Sequence, residues 1–336
     1  MKLVMTLLVR NEADIVDTNV AFHLNADVDF VIASDTGSQD GTREILEQYA
    51  RRGKVHVIDQ PELFSQIDVV TQMARMAATE FGADWVINSD VDEFWYPRAG
   101  SLKGILTQVP GRFGAVRGMW RHFVARPFGD ASFAERMTVR LCAPVTGRDH
   151  AFSPHFKTVH RADANVAVGG GNHEVSGGRL LPLRGWYPID VLHFPIRSYE
   201  QCERKYLQWR VLDSRGPRPP DPRRADAYEA YDSGRMREFY ESHAADDDAL
   251  ARGLEDGTLA LDTRLRDALR SLDEGELRLR SDSVDGCYLS ELDALEERNE
   301  LRRVEERVEA LESRLAARES TVPGRLRRRL ETRWRS

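Results

Sequence analysis

The sequence predicts an α/β protein built on a mostly parallel central sheet, and three observations predict it. Short apolar runs alternate with helical patterns from the first residues to Asp90; each apolar run ends in polar or charged residues; and beyond Leu102 the pattern changes to shorter strands set off by turn residues. Alternation implies parallel strands joined by helices on both faces of the sheet, and the later strands imply an antiparallel extension.

The elements follow in order. "LVMTLLV" reads as the first strand, because Arg10, Asn11 and Glu12 cut the apolar run short and no small-residue cleavage site follows. A helix is expected over about Ile15 to Asn25, then the strand "DFVIASD", then a helix in "DGTREILEQYARRG" with Ile45, Leu46 and Tyr49 on one stripe and a stop at Gly53. "KVHVID", the helical "FSQIDVVTQMARMAATEFG" and "ADWVINSD" complete the alternating half. The segments "FGAVRGMWRHF", "MTVRLCA", "HFKTVHR", "ANVAVGGGNHEV" and "IDVLHFP" supply the extension. "SRGPRPPDPRR" reads as a linker, and Ala225 to Arg280 as a mostly helical C-terminal extension. The expected divisions are 1–213 for the α/β domain, 214–285 for linker and helical extension, 286–319 for a charged helix and 320–336 for a basic tail.

Leu301, Val304, Val308, Leu311 and Leu315 form a heptad seam flanked by Glu and Arg, which suits either a helix packed on its own domain or a coiled-coil dimer. In the tail, Leu326, Leu330 and Trp334 recur among arginines, the pattern of either a solvated end or an amphipathic anchor on anionic lipid. With 336 residues, 41% apolar and 31% charged, the chain reads as a soluble globular protein, and a net charge of -7 makes nucleic acid a poor partner. No run approaches the ~20 apolar residues of a spanning helix. Cys142, Cys202 and Cys287 stand far apart with no CxxC pair, so ordinary thiols in a reducing, cytoplasmic compartment are expected, with any membrane contact peripheral at the inner face.

The stretch "WVINSDVDEFW" raises the functional question: why would Asp90, Asp92 and Glu93 crowd the end of a buried strand? In sheets of this kind ligands bind beyond the carboxyl ends of the strands. Two carboxylates one residue apart can hold a hard divalent cation, Mn2+ or Mg2+, which completes its shell with water and phosphate. One strand earlier, "SDTGSQDGT" offers Asp35 to a ribose or base edge, with Gly37 and Gly41 permitting close backbone approach. Trp95 and Tyr96 are expected in the core rather than as a sugar platform.

"LLVRNEAD", "ASDTGSQDGT" and "NSDVDEFW" resemble the nucleotide-binding loops of GT-A glycosyltransferases of the family 2 type, especially the subgroup similar to family 92 with an Asp-x-Asp-Glu-Phe signature. "HFKTVHR", "GGGNHEV" and "VLHFPIRSYEQCERKY" resemble that subgroup's later motifs, so the likeness spans Met1 to Tyr206 and more loosely reaches Leu269. The resemblance implies a GT-A domain over 1–213 and a nucleotide-diphosphate sugar donor, with a glycan, lipid-linked or small-molecule acceptor. It puts Arg10, Asn11 and Glu12 beside the nucleotide, Asp35 on base or ribose, Asp90 and Asp92 on metal and diphosphate, and His193 on the metal. Lys157 or Arg197 would help neutralise the leaving diphosphate, and the reaction would invert the anomeric centre. The candidate bases are Glu174, His173, Glu93 and Asp190; Glu174 is preferred, although the subgroup often has an apolar or aromatic residue there while its histidine matches His173. The rival readings are a metal-dependent phosphodiesterase or nucleotidyltransferase and an inactive scaffold of the same fold.

Overall fold

The computed structural model describes residues 1–60, 65–126, 131–142, 155–178, 180–215, 224–281, 301, 304–305 and 307–314. The alternating half forms as expected: β1 (Leu3–Val9), α1 (Val16–Asn25), β2 (Phe30–Asp35), α2 (Thr42–Arg51), β3 (Val55–Asp59), α3 (Gln66–Thr79) and β4 (Trp85–Asp90). Period-two alternation explains why this half takes helices on both faces. Along β1, Leu3, Met5 and Leu7 pack with Val16, Val20 and Leu46 of α1 and α2, whereas Val4 packs with Val69, Val70 and Met73 of α3.

The rest adds β5 (Glu93–Pro97), α4 (Leu102–Thr107), β6 (Ala115–His122), α5 (Phe133–Arg136), β7 (Val139–Leu141), β8 (Phe156–Arg161), β9 (Ala167–Val168), β10 (Val175–Ser176) and β11 (Ile189–His193). The C-terminal part carries α6 (Tyr199–Arg215), α7 (Ala225–Asp232), α8 (Met236–His243), α9 (Asp247–Glu255), β12 (Leu259–Leu261) and α10 (Arg264–Asp273). The main sheet runs β3-β2-β1-β4-β8-β6-β11-β5. β8 is antiparallel to β4 and β6, and β5 is antiparallel to β11, so β1, β2, β3, β4, β6 and β11 all point one way. Their carboxyl ends share a rim, where β8 and β5 begin. The sheet is therefore mixed and mostly parallel, with the expected antiparallel extension.

Several expectations need correction. Glu93–Pro97 forms strand β5, an element not expected from the sequence, in which Phe94, Trp95 and Tyr96 are fully buried against the sheet. Residues expected to open the extension instead form α4, capped where Gly104 N donates to Ser101 Oγ at 3.1 Å. "ANVAVGGGNHEV" is not one strand but β9 and β10 around a tight turn, Gly170–Asn172, in which Asn172 takes a positive φ of 60°. The expected linker begins inside α6, and most of it lies outside the described residues. So does the basic tail. The described seam residues Leu301, Val304, Val308 and Leu311 are helical and exposed, between 47% and 63%, rather than packed on the domain; Leu315 lies outside the described residues.

Cys142 is disulfide-bonded and Cys202 is a buried free thiol. The expectation of ordinary thiols fails at Cys142, and with it the ground for a reducing compartment, since disulfides persist mainly in oxidising ones. No helix among the described residues is long and apolar enough to cross a membrane.

Candidate active site

Strand register assembles the centre of the rim. His193, the last residue of β11, pairs with Glu93 at the start of β5 on one side and with His122 at the end of β6 on the other. The turn between β4 and β5, which carries Asp92, is held from below by α1. Asn19 Nδ2 donates to the carbonyls of Val91 and Glu93, both at 2.8 Å, and His23 Nε2 accepts from Trp95 N at 3.0 Å. His23 Nδ1 faces the Asn19 carbonyl at 2.9 Å, which fixes the proton on that nitrogen, and burial lowers the ring's pKa to about 4. A neutral imidazole and a buried amide thus fix the acidic turn.

The crowded carboxylates are each met by a cation. Lys157, sealed at 2% exposure, donates to Asp90 Oδ2 at 2.9 Å and to the Gly171 carbonyl at 2.6 Å, and pairs with Glu93 Oε1 at 2.7 Å. Burial pushes the pKa of Glu93 up to about 8, against the pull of Lys157. Trp120 Nε1 donates to the same Glu93 oxygen at 3.0 Å, and Asn172 Nδ2 donates to Asp90 Oδ1 at 3.2 Å. Asp92 pairs with Lys205 at 2.7 Å and faces His193 Nε2 at 3.6 Å; despite burial, Lys205 and His193 hold its pKa well below the usual carboxylate range. Glu12 and Asp14 share Arg197, which donates to Asp14 Oδ2 at 2.7 Å and also to Glu12. Burial raises the pKa of Glu12 against the attraction of Arg197.

The nucleotide candidates lie at the ends of β1 and β2, laced to one another. Asn11, at a positive φ of 53°, donates its N–H to Ser38 Oγ at 2.9 Å and accepts from Gln39 N at 2.7 Å. Ser38 in turn gives both N–H and Oγ to Asp35 Oδ1, at 3.0 and 2.6 Å, so Asp35 shapes the turn as well as facing the rim. Arg10 is half-buried at the end of β1.

The base candidates separate sharply. Glu93 is fully buried and its oxygens are engaged by Lys157, Trp120 and Asp90 N, so it supports the acidic turn and cannot receive an acceptor's proton. Asp190 is equally excluded: Arg98, Arg121 and Arg264 surround it at 2.8 to 3.2 Å and depress its pKa strongly despite complete burial. His173 and Glu174 remain, both partly exposed. His173 Nδ1 meets the Phe156 carbonyl at 2.8 Å; a carbonyl can only accept, so this nitrogen bears the proton and Nε2 the lone pair of the neutral ring. Glu174 stands in the electrostatic reach of Arg117. Lys157 and Arg197, expected near the diphosphate, are sealed inside ion pairs. Trp95 and Tyr96 are core, as expected.

Three residues at the site were not anticipated. Trp120 stacks on His193 with ring centroids 4.2 Å apart. His122 Nδ1 lies 3.3 Å from His193 Nδ1. Lys205 reaches Asp92 from α6. Gln201 and Lys205 are four apart, hence on one face of α6, and Gln201 is buried beside buried Cys202. A polar stripe on a buried face calls for polar partners.

A divalent cation fits one pair of donors here. Among the described residues no group of three or more His, Cys, Asp or Glu side chains is arranged to hold a metal. Asp92 Oδ2 and His193 Nε2, however, face each other at the rim, both largely buried, and carboxylate with imidazole is a donor set that suits Mn2+. Ligation through Nε2 requires the His193 proton on Nδ1, and His122 Nδ1 is placed to accept it.

The sheet order and the rim define an α/β architecture with a mixed, mostly parallel sheet. A family model described as Glycosyl transferase family 2 matches residues 7–107, which contain the rim residues from Arg10 to Glu93 and stop short of Lys157, His173, Glu174 and His193. No curated protein matches the chain. Among solved structures, the chain is similar to glucosyl-3-phosphoglycerate synthase from Mycobacterium tuberculosis with Mn2+, UDP and glucosyl-3-phosphoglycerate, at 22% identity and a TM-score of 0.27 over 36% of this chain and 44% of that one. It is also similar to S. aureus TarS 1-349, at 14% identity and a TM-score of 0.33 over 64% and 65%. The chain spans less than half the length of the mycobacterial enzyme it matches.

Proposed function

We propose that this protein is a metal-dependent, inverting GT-A glycosyltransferase that moves a sugar from a nucleotide-diphosphate donor to an acceptor hydroxyl. The observation that carries this reading is the facing pair of Asp92 and His193 at the rim, of which Asp92 lies in the segment that matches the family 2 model and His193 is brought to it by β11. Asp92 and His193 would hold Mn2+ or Mg2+, which when bound supplies positive charge to the leaving diphosphate. The remaining work falls to the chain's own residues. Arg10, Asn11, Glu12 and Asp35 border the nucleotide; Asp90, held by Lys157 and Asn172, faces the donor; Glu93 and Asn19 fix the acidic turn. His173 is the better base, because its Nδ1–H is anchored on a carbonyl and its basic nitrogen is thereby oriented. Glu174 is the second candidate.

The test is donor hydrolysis. The protein, given a panel of sugar nucleotides with Mn2+, is expected to release a nucleoside diphosphate, and Asp92→Ala to abolish that release while the fold persists. Undiminished release by Asp92→Ala would overturn the assignment. His173→Gln is expected to lower transfer by about a hundredfold or more, in the range of a lost general base.

We also propose a parallel dimer through the exposed seam. With Leu301 and Val308 at heptad position a and Val304 and Leu311 at d, Glu305 and Glu312 fall at e, and Arg307 and Arg314 at g. In a parallel, in-register pair Arg307 faces Glu312 of the second copy, whereas an antiparallel pair would set like charges together.

A further inference from the structure

Lys205 lies on α6, far in sequence from the acidic turn, yet its ammonium is the nearest charge to Asp92. Its Nζ lies 2.7 Å from Asp92 Oδ2, the oxygen that also faces His193 Nε2, and 3.2 Å from the Pro195 carbonyl just beyond β11. The other lysine at the site behaves differently. Lys157 is sealed at 2% exposure by Asp90, Glu93 and the Gly171 carbonyl, while the Lys205 side chain keeps 17% and enters from α6 over the Trp209 ring. Lys157 is built in; Lys205 has an opening to withdraw through.

Two cations cannot share one buried carboxylate oxygen without cost. Their mutual repulsion is weakly screened there, and it subtracts from what the carboxylate offers either of them. Without a metal, Lys205 is the cation in direct contact with the buried Asp92 carboxylate. We propose that Lys205 is the resident counter-ion of Asp92 and sets the affinity of a divalent cation there, by holding the carboxylate oxygen the cation needs. The inference rests on the metal reading above and adds the residue that opposes it. Cation entry moves Lys205 off Asp92 Oδ2, and the displaced ammonium stays at the rim, where the anionic donor arrives.

Binding of Mn2+ alone tests this, followed by the electron paramagnetic resonance signal of free Mn2+ and by thermal shift, with no donor present. Lys205→Met, which keeps the length and apolar stem, is expected to bind Mn2+ about tenfold or more tightly than the natural chain. Its metal-free melting temperature should fall, and Mn2+ should raise that temperature more than it does for the natural chain. Lys205→Arg, which keeps the charge, should bind Mn2+ as the natural chain does. Asp92→Asn should abolish site binding in every background. Mn2+ binding by the natural chain with an unchanged or weaker affinity in Lys205→Met overturns the role of Lys205 and leaves the metal reading standing. No Mn2+ binding by either protein overturns both; binding by Lys205→Met alone supports the role of Lys205 in its strongest form.

Discussion

At the scale of single residues, the acidic turn depends on side chains that never face a substrate. Asn19 satisfies two buried carbonyls on either side of Asp92, so Asn19→Ala leaves both without their donor and is expected to cost roughly 2 to 4 kcal/mol, read as a fall in the urea midpoint. His23 and His160 are buried neutral rings, each lowered by burial to about 4. His160 receives Asn88 Nδ2 at 3.0 Å and gives its own Nδ1–H to the Arg161 carbonyl at 2.8 Å. The unfolded chain takes up protons on these rings below the ordinary histidine value near 6.5, while the folded chain refuses them until about 4. Their contribution is therefore complete above pH 6.5 and is lost as the pH falls to 4, at roughly 3 kcal/mol for each ring. Urea unfolding across that range should show the decline, and His160→Gln, uncharged throughout, should flatten it. Asp90 and Asp92 were legible as a pair because their spacing places both at a strand end. Their counter-ions were not: Lys157 and Lys205 are far from them in sequence, and no spacing rule links a strand end to a distant strand and helix.

At the scale of elements, β1, β2 and β4 were readable because each buries both faces, giving continuous apolar runs, and the edge strand β3 was readable from its short apolar run between helical patterns. β5 was missed for a physical reason: Glu93 begins it, and a charged residue at a fully buried strand position becomes intelligible only once Lys157 and Trp120 are seen around it. The same holds for β11, where Asp190 sits among apolar neighbours because three arginines converge on it, Arg98 from just past β5, Arg121 from β6 and Arg264 from α10. That convergence fastens the C-terminal extension to the sheet. Asp190→Ala strands those guanidinium groups and is expected to destabilise the protein by roughly 3 to 5 kcal/mol, the range for breaking one side of a buried ion pair. A melting temperature unchanged by Asp190→Ala would contradict this account of how the extension is held.

At the scale of the whole molecule, strand directions do the assembling: six strands end at one rim, and two reversed strands start there, bringing Glu93, Lys157 and His193 to the acidic turn from distant parts of the chain. The exposed seam adds a second level. Sedimentation of the full chain is expected to show a concentration-dependent dimer that Val308→Asp abolishes. Arg307→Glu should weaken it several-fold, and adding Glu312→Arg should restore it, since the parallel pairing is re-formed with charges exchanged. The central claim, however, concerns the rim. Diffraction from crystals grown with Mn2+ and a nucleoside diphosphate, at a wavelength where manganese scatters anomalously, tests it most directly. An anomalous peak bonded to Asp92 and His193 and touching the diphosphate is the expected result; diphosphate bound with no such peak, and Lys205 still on Asp92, would contradict it.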